Sequence, residues 1–312
     1  MEKHTFTFTD LFAGIGGFHI ACQRNGGMCS LACEIDHVAR DIYETNYGIK
    51  PHEDVRTLTP IEEQDLVCAG FPCQSHSSLG GRKGRKDARG KLFDVLREYI
   101  KTSRPKSFLL ENVTGILSSN RGRMFKHVIN SLKDIGYQVS WTVLDSKHFG
   151  LPQHRERVYI VGHQNITFDF EQLRSQRKTK AIKDIMDKNT NFDDLKCDIF
   201  NKSVIFDPPV PTKVGFLLRA KMSDFTNRKL FSSNGIIGTI STASPPPIYD
   251  ERYQKPRHLS KVELKRCQGF PVMFRFPKGF SRSKVVHYIG NSVSVNVVSA
   301  IVRDMKSQGL LR

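Results

Sequence analysis

From Thr5 to Gly162 the chain repeats one pattern: a short apolar or alternating run, a turn, then a stretch of helical period. Strands separated by helices cannot close as hairpins. The rhythm therefore predicts an α/β fold with a doubly wound, mostly parallel, Rossmann-like sheet. Thr5-Phe6-Thr7-Phe8-Thr9-Asp10-Leu11-Phe12 alternates as a strand, and Ala13-Gly14-Ile15-Gly16-Gly17 turns it into a helix from Phe18 to Arg24. Asn25-Gly26-Gly27 ends that helix. Met28 to Ile35 reads as the next strand with Glu34 near its end, and Asp36 caps a helix to about Tyr47. Strands at 65–69, 107–110, 137–144 and 156–161 follow, with helices near 92–102 and 121–135. Cys29 and Cys33 fall on one face of their strand by period two and read as core, not as metal ligands.

After Gly162 the rhythm fades. Residues 163–290 carry 23 Lys+Arg against 12 Asp+Glu, and prolines cluster at 208, 209, 211 and 245–247. A smaller, irregular, basic domain is expected there. Asn291 to Met305 is helix-like and apolar on one side, as a segment returning to the first domain would be. The whole chain of 312 residues has a net charge of +17, which favours nucleic acid as the partner. No run of 18 apolar residues occurs and the N-terminus lacks a signal pattern, so no membrane span and a cytoplasmic location are expected. The seven cysteines form no disulfide framework.

Two strands deliver chemistry at their carboxyl ends. The run Asp65-Leu66-Val67-Cys68-Ala69 stops at Gly70-Phe71-Pro72-Cys73-Gln74, which presents a thiol in a loop. Ser107-Phe108-Leu109-Leu110 delivers Glu111, followed by Asn112 and Val113. On parallel strands the two would share the rim where open α/β sheets bind ligands. Taken singly, Cys73 reads as a small buried residue and Glu111 as a cap or surface group. Gly80 to Lys91 then packs six cations, one anion and four glycines beside the thiol. Gly14-x-Gly16-Gly17 departs from the dinucleotide spacing, which argues against a pyrophosphate; its amides suit a carboxylate, and Glu34 suits a ribose. Arg155 and Arg157, two apart at a strand entrance, read as paired donors on one face, or as an exposed edge. Gly290-Asn291-Ser292-Val293 sits at the start of the closing helix.

Together and in order, these segments resemble the cytosine-C5 DNA methyltransferases of the bacterial restriction-modification (HhaI-like) type, over almost the whole chain. Asp10 to Phe18, Glu34-Ile35-Asp36 and Glu53-Asp54-Val55 are similar to the cofactor motifs. Gly70 to Gln74 looks like the nucleophile motif, Glu111-Asn112-Val113 the acid motif, Gln153 to Arg157 the paired-arginine motif. Arg257-His258-Leu259-Ser260 through Gly269-Phe270-Pro271, and Gly290 to Val293, resemble the last two.

The resemblance implies an S-adenosylmethionine-dependent DNA (cytosine-5-)-methyltransferase that flips a cytosine out of a specific short site in double-stranded DNA. Cys73 would attack C6, Glu111 would hold N3 and Arg155 would support Glu111 and the base. Arg157, Pro72, Gln74, Asn112 and Val113 would complete the catalytic set. Phe12 would stack on adenine, Glu34 hold the ribose and Asp54 meet the adenine amino group. Ala13, Gly14, Ile15, Gly16, Gly17, Ile35, Val55, Gly70, Pro72, Leu92, Asn291, Ser292 and Val293 would line the cofactor. Ile35 stands where an aromatic is common in the family. DNA contacts are expected from Ser77, Arg82, Lys83, Arg85, Lys86, Arg89, Arg228, Lys229 and Thr239. No metal is implied. The implied division is a catalytic and cofactor domain (1–187), a target-recognition domain (188–275), and a hinge with C-terminal helix (276–312). The protein would act as a monomer, beside a restriction endonuclease of the same target that it need not touch.

Rival readings are a tRNA cytosine-C5 methyltransferase and a catalytically silent DNA-binding relative. The first typically carries Cys-Phe-Thr in its second domain, and this chain has no Cys-Phe pair. The second conflicts with an intact Cys73, Glu111, Arg155 and glycine turn.

Overall fold

The computed structural model describes residues 4–72, 90–173, 179–188, 195, 205–206, 210–212, 215–221, 229–242, 245 and 247–311. It divides into two compact units: Met1–Leu144, Glu156–Arg174 and Val297–Arg312 form the first, Asp145–Arg155 and Ser175–Asn296 the second.

In the first unit β1 (Phe6–Leu11), α1 (Gly17–Gln23), β2 (Gly27–Cys33), α2 (His37–Tyr47), β3 (Leu66–Ala69), α3 (Gly90–Ser103), β4 (Ser107–Val113), α4 (Arg123–Asp134), β5 (Gln138–Asp145) and β6 (Glu156–His163) follow the expected alternation. The sheet runs β2-β1-β3-β4-β6-β5. β1 pairs in parallel with β2 and β3, and β3 with β4, while β4 and β6 are antiparallel. The α/β class and the mostly parallel sheet are as the sequence predicts. Because β2 and β3 lie on opposite sides of β1, the order reverses between β1 and β3. Their carboxyl ends, Leu11 beside Ala69, therefore open the crevice in which such sheets take ligands.

Leu11, Val67, Leu96, Phe108, Leu110, Val158 and Ile160 build one core cluster. Each such side chain stabilises the fold by about 1.5–3 kcal/mol on burial. The two cysteines of β2 separate. A register shift between Phe8 and Thr9 leaves Ser30 outside the ladder. The bulge flips the parity, so Cys29 packs beside Ala32 and Tyr43 while Cys33 joins the cluster with Leu31. The expectation of one shared face is thereby overturned.

The second unit contains β7 (Ile205–Phe206), β8 (Val210–Thr212), β9 (Gly215–Lys221), β10 (Lys229–Ser232), β11 (Ile248–Asp250), β12 (Lys255–Arg257), α5 (Lys261–Gln268) and α6 (Arg282–Asn291). Its strands form a second sheet, β12-β11-β10-β9-β7, with β8 on β9. The sequence foresees only irregular chain here: β7, β8, β10, β11 and β12, of two to four residues, are too short to show alternation, and the seven-residue β9 is a miss that length does not explain. Arg257 is fully buried and forks onto both Glu263 oxygens (2.8 and 2.9 Å) while its Nε meets Asp250 (2.6 Å). Glu263 also completes a capping box with Ser260 at the start of α5.

α6 ends at Asn291, Ser292 is extended, and α7 (Val295–Ser307) begins afresh. Asn291 thus closes one helix and does not open the next, contrary to the sequence reading. The stretch Arg282–Ser307 is the one candidate among the described residues apolar enough to cross a membrane, and it is mostly buried within the protein.

Candidate active site

β1 hands the chain to a turn whose backbone is unusual at three of five positions. Phe12, Gly14 and Gly16 all lie in the left-handed region, with φ of 53°, 54° and 82°. For Phe12 that conformation costs about 1–3 kcal/mol, the kind of strain that clusters at ligand sites. A Cβ on Gly14 would meet nothing within 4 Å, so the turn is open above it.

The Glu34 carboxylate closes one side of this opening. Its Oε2 accepts from the Gly14 amide at 2.7 Å and its Oε1 from the Asp36 amide at 2.9 Å. Burial pushes its pKa above the ordinary carboxylate value, against the pull of those amides. Each oxygen keeps a further lone pair, so the carboxylate can still accept two vicinal hydroxyls. Next to it Ile35 is 70% exposed, an apolar side chain offered to solvent at the rim. The 52–55 segment is stitched to β2 by Glu34 N to His52 O and His52 N to Ala32 O, both 2.8 Å. It carries buried Val55 and Asp54, whose carboxylate the Arg56 guanidinium holds down at a pKa of about 2.

This set fits the nucleoside end of S-adenosylmethionine, with an acid for a ribose and an apolar face for adenine, while the Ala13, Gly14 and Gly16 amides are taken up by Cys33 O, the Glu34 carboxylate and Ala13 O. The structure joins Gly14, Glu34 and the Asp54 segment. Ala13, Ile15 and Gly17 are buried in the same turn, and Leu92 of α3 packs half-buried on the core cluster.

At the second strand end, Ala69 of β3 pairs with Leu110 of β4. A Cβ on Gly70 would stand 3.7 Å from Glu111 Oε2, so the outgoing chain passes directly beside the acid. Asn112 Nδ2 then donates to Phe71 O at 2.9 Å, tying the loop to β4. Phe71 is buried against Phe93, and Pro72 is exposed. Cys73, Gln74, Ser77, Arg82, Lys83, Arg85, Lys86 and Arg89 lie outside the described residues. The strand runs on past Glu111 to Val113, because β6 extends the ladder, so Glu111 is inside β4 and not at its end. Arg157 Nε lies 3.2 Å from Glu111 Oε1. The family resemblance assigns that support to Arg155 alone.

β6 begins at Glu156, so Arg155 precedes the strand and period two does not apply to the pair. In the second unit Arg155 is 3% exposed, and its guanidinium donates to the carbonyls of Gly290 (3.1 Å), Ser292 (2.8 Å) and Ile240 (3.4 Å). Gln268 Nε2 shares the Ser292 carbonyl at 2.7 Å. Asn291 is exposed and Val293 buried. Thr239 is exposed, with its hydroxyl on His154 O at 2.9 Å. Lys229 belongs to β10, and Arg228 lies outside the described residues.

Gln153, which the sequence reading places in the paired-arginine motif without a role of its own, is fully buried; it donates to Gln268 Oε1 (2.6 Å) and Cys267 O (3.2 Å) and accepts from Ile240 N (2.9 Å). Its only signal was its place beside two arginines.

The profile described as C-5 cytosine-specific DNA methylase matches residues 6–307. The type II methyltransferase M.BsuFI of Bacillus subtilis is 36% identical over 313 residues, 98% of this chain and 73% of that protein. The type II methyltransferase M.HhaI of Haemophilus parahaemolyticus is 29% identical over 314 residues, 96% of this chain and 94% of its own. Among solved structures, the S. pombe Dnmt2 methyltransferase superposes with a TM-score of 0.74 over 97% of this chain and 99% of that one. At 19% identity the likeness carries the fold alone.

Proposed function

The chain belongs to the C-5 cytosine-specific DNA methylases, and from that premise we propose that it methylates C5 of a flipped-out cytosine at a specific short site in double-stranded DNA, through a covalent bond from Cys73 to C6. The observation that carries this reading is the passage of Gly70 beside Glu111 Oε2, three residues before Cys73 in the sequence.

Cytosine C5 is a poor nucleophile in an aromatic, electron-poor ring. The Cys73 thiolate adds to C6, and the displaced π electrons make C5 enamine-like while charge gathers at the N3 edge. The Glu111 carboxyl, oriented by Arg157, binds that edge and takes up the charge through its hydrogen bond. S-adenosylmethionine, when bound, supplies the electrophilic methyl group that C5 attacks. A water base then takes the C5 proton, the C–H electron pair restores the C5–C6 double bond, and the Cys73 thiolate is expelled with the C6–S pair. A stacked base cannot be reached in this way, so the cytosine must leave the duplex.

Phe12, the glycine turn, Glu34, Ile35 and Asp54 hold the cofactor on this reading. The basic 188–275 segment reads flanking bases, with Arg228, Lys229 and Thr239 among its contacts, and the Gly80–Lys91 cations hold phosphates. The protein works as a monomer in the cytoplasm, as the protecting counterpart of a restriction endonuclease of the same specificity.

Transfer of labelled methyl from S-adenosylmethionine to duplex DNA, single-stranded DNA and tRNA, side by side, tests the proposal. Label confined to cytosine C5 of duplex DNA is expected. Label in tRNA alone would favour the RNA-directed rival, and none in any substrate would favour the silent relative.

A further inference from the structure

The N-cap Asp36 and the α2 residues Arg40, Tyr43 and Tyr47 follow one helical spacing. The spacing i, i+4, i+7, i+11 sets them on one face. Asp36 caps the helix through Val38 N (2.8 Å) and Ala39 N (3.1 Å). Arg40 Nη1 donates to the carbonyls of Glu34 (3.1 Å) and Ile35 (2.9 Å), and its Nη2 reaches Glu53 Oε1 at 2.7 Å. One guanidinium thus joins the end of β2 to the segment that carries Asp54. Tyr43 lies with its hydroxyl 2.7 Å from His19 Nδ1 and 3.4 Å from Asp10.

Tyr47 hydroxyl donates toward Ile15 O (3.1 Å) and Gly16 O (3.0 Å), and its ring stacks on His19 at 3.9 Å. A Cβ on Gly16 would collide with the Tyr47 ring. The glycine at this position therefore serves the close approach of a tyrosine as well as a positive φ.

Resting on the cofactor reading above, we propose that Arg40 and Tyr47 are positioning residues that set the two ends of the S-adenosylmethionine site from behind. Arg40 fixes the ribose and adenine end, and Tyr47 fixes the glycine turn at the methionine end. The Gly16 carbonyl already accepts from Ile20 N at 3.1 Å as α1 begins, while the Ile15 carbonyl takes the Tyr47 hydroxyl at 3.1 Å. Buried carbonyls need donors, and Tyr47 supplies one from the helix face. Arg40 binds the carbonyls of Glu34 and Ile35, so that the carboxylate and Ile35 hold their aim. Lysine would bring one nitrogen where Arg40 uses two, Nη1 for the carbonyls and Nη2 for Glu53.

The test compares two ligands by competition calorimetry: S-adenosylhomocysteine, and 5′-methylthioadenosine, which keeps adenine and ribose but lacks the methionine carboxylate. Arg40→Gln is expected to weaken both by a similar factor, about five- to tenfold. Tyr47→Phe is expected to weaken S-adenosylhomocysteine about fivefold and to leave methylthioadenosine within about twofold. Melting temperatures of the unliganded proteins report the fold separately.

If Arg40→Gln fails to fold, Glu53→Ala removes the acceptor at the exposed end of the same link and must weaken both ligands at low salt. Unchanged binding in the Arg40 or Glu53 variants, or equal loss of both ligands in Tyr47→Phe, overturns the proposal. Wild type that binds neither ligand would remove the cofactor reading itself, and this inference with it.

Discussion

Arg157 Nε stands 3.2 Å from Glu111 Oε1 across the antiparallel pair β4–β6, with both side chains nearly out of water. The carboxyl is thereby divided in function. One oxygen is held by the guanidinium, and the other faces the chain at Gly70, where the loop to Cys73 begins.

Arg157→Leu leaves a buried carboxylate without this partner, a loss of about 3–5 kcal/mol for such a pair. Turnover should fall by at least about a hundredfold on that scale, with S-adenosylmethionine affinity unchanged. Steady-state kinetics together with cofactor calorimetry check it. Equal losses in both would mean that Arg157 serves the fold and not the acid.

Asn112 holds the Phe71 carbonyl from β4, two residues before the thiol. Asn112→Asp keeps the shape and replaces the donor with an acceptor facing a carbonyl. Stability should drop by about 1–3 kcal/mol. Methylation by the fraction still folded should also fall, because the nucleophile loop loses its anchor. Thermal melting and single-turnover rates separate the two effects.

Burial raises the Glu34 pKa, so the unliganded fold favours its protonated form. That increment of stability is full below the unfolded value, about 4.3, and is lost as pH rises through the raised folded value. Ribose binding runs the other way, since only the carboxylate accepts both hydroxyls. Cofactor affinity should therefore fall as pH is lowered from neutrality, and begin to fall above the ordinary carboxylate range. Asp54, held at a pKa of about 2, stays ionised throughout and contributes nothing to this slope. Calorimetry from neutrality downward should show the slope in wild type and a flat, weak profile in Glu34→Gln.

Replacing Arg82, Lys83, Arg85 and Lys86 with Ala should weaken DNA binding. Its log–log salt slope should flatten by about 0.9 for each phosphate that is no longer neutralised. Preference for the target sequence should survive, because phosphate contacts position and base contacts specify. Affinity measured across a salt series on cognate and non-cognate duplexes decides it. A changed preference would assign base reading to this loop.

Much of the first unit was legible because its signals are local. Asp36 before an amphipathic run, glycines after a strand and short apolar runs each act within a few residues. What was not legible depends on partners far along the chain. Glu111 proved to be inside β4 because β6, more than forty residues on, extends the ladder. The parity of Cys29 and Cys33 turned on one bulge that composition does not announce. Tyr47 and Arg40 look in sequence like any exposed helix positions, and only the packing of α2 against the glycine turn gives them work. In the second unit, nothing local to Arg257, Asp250 and Glu263 announces that they pair in the interior.

The central claim is that Cys73 forms a bond to the target cytosine. A duplex carrying 5-fluorocytosine at the methylated position, incubated with enzyme and S-adenosylmethionine and run on a denaturing gel, tests it most directly, because fluorine cannot leave as a proton does. A stable protein–DNA adduct is predicted with wild type and none with Cys73→Ser, which should still bind cofactor and DNA. An enzyme that methylates ordinary cytosine yet yields no adduct, or a Cys73→Ser variant that does, would contradict the covalent route.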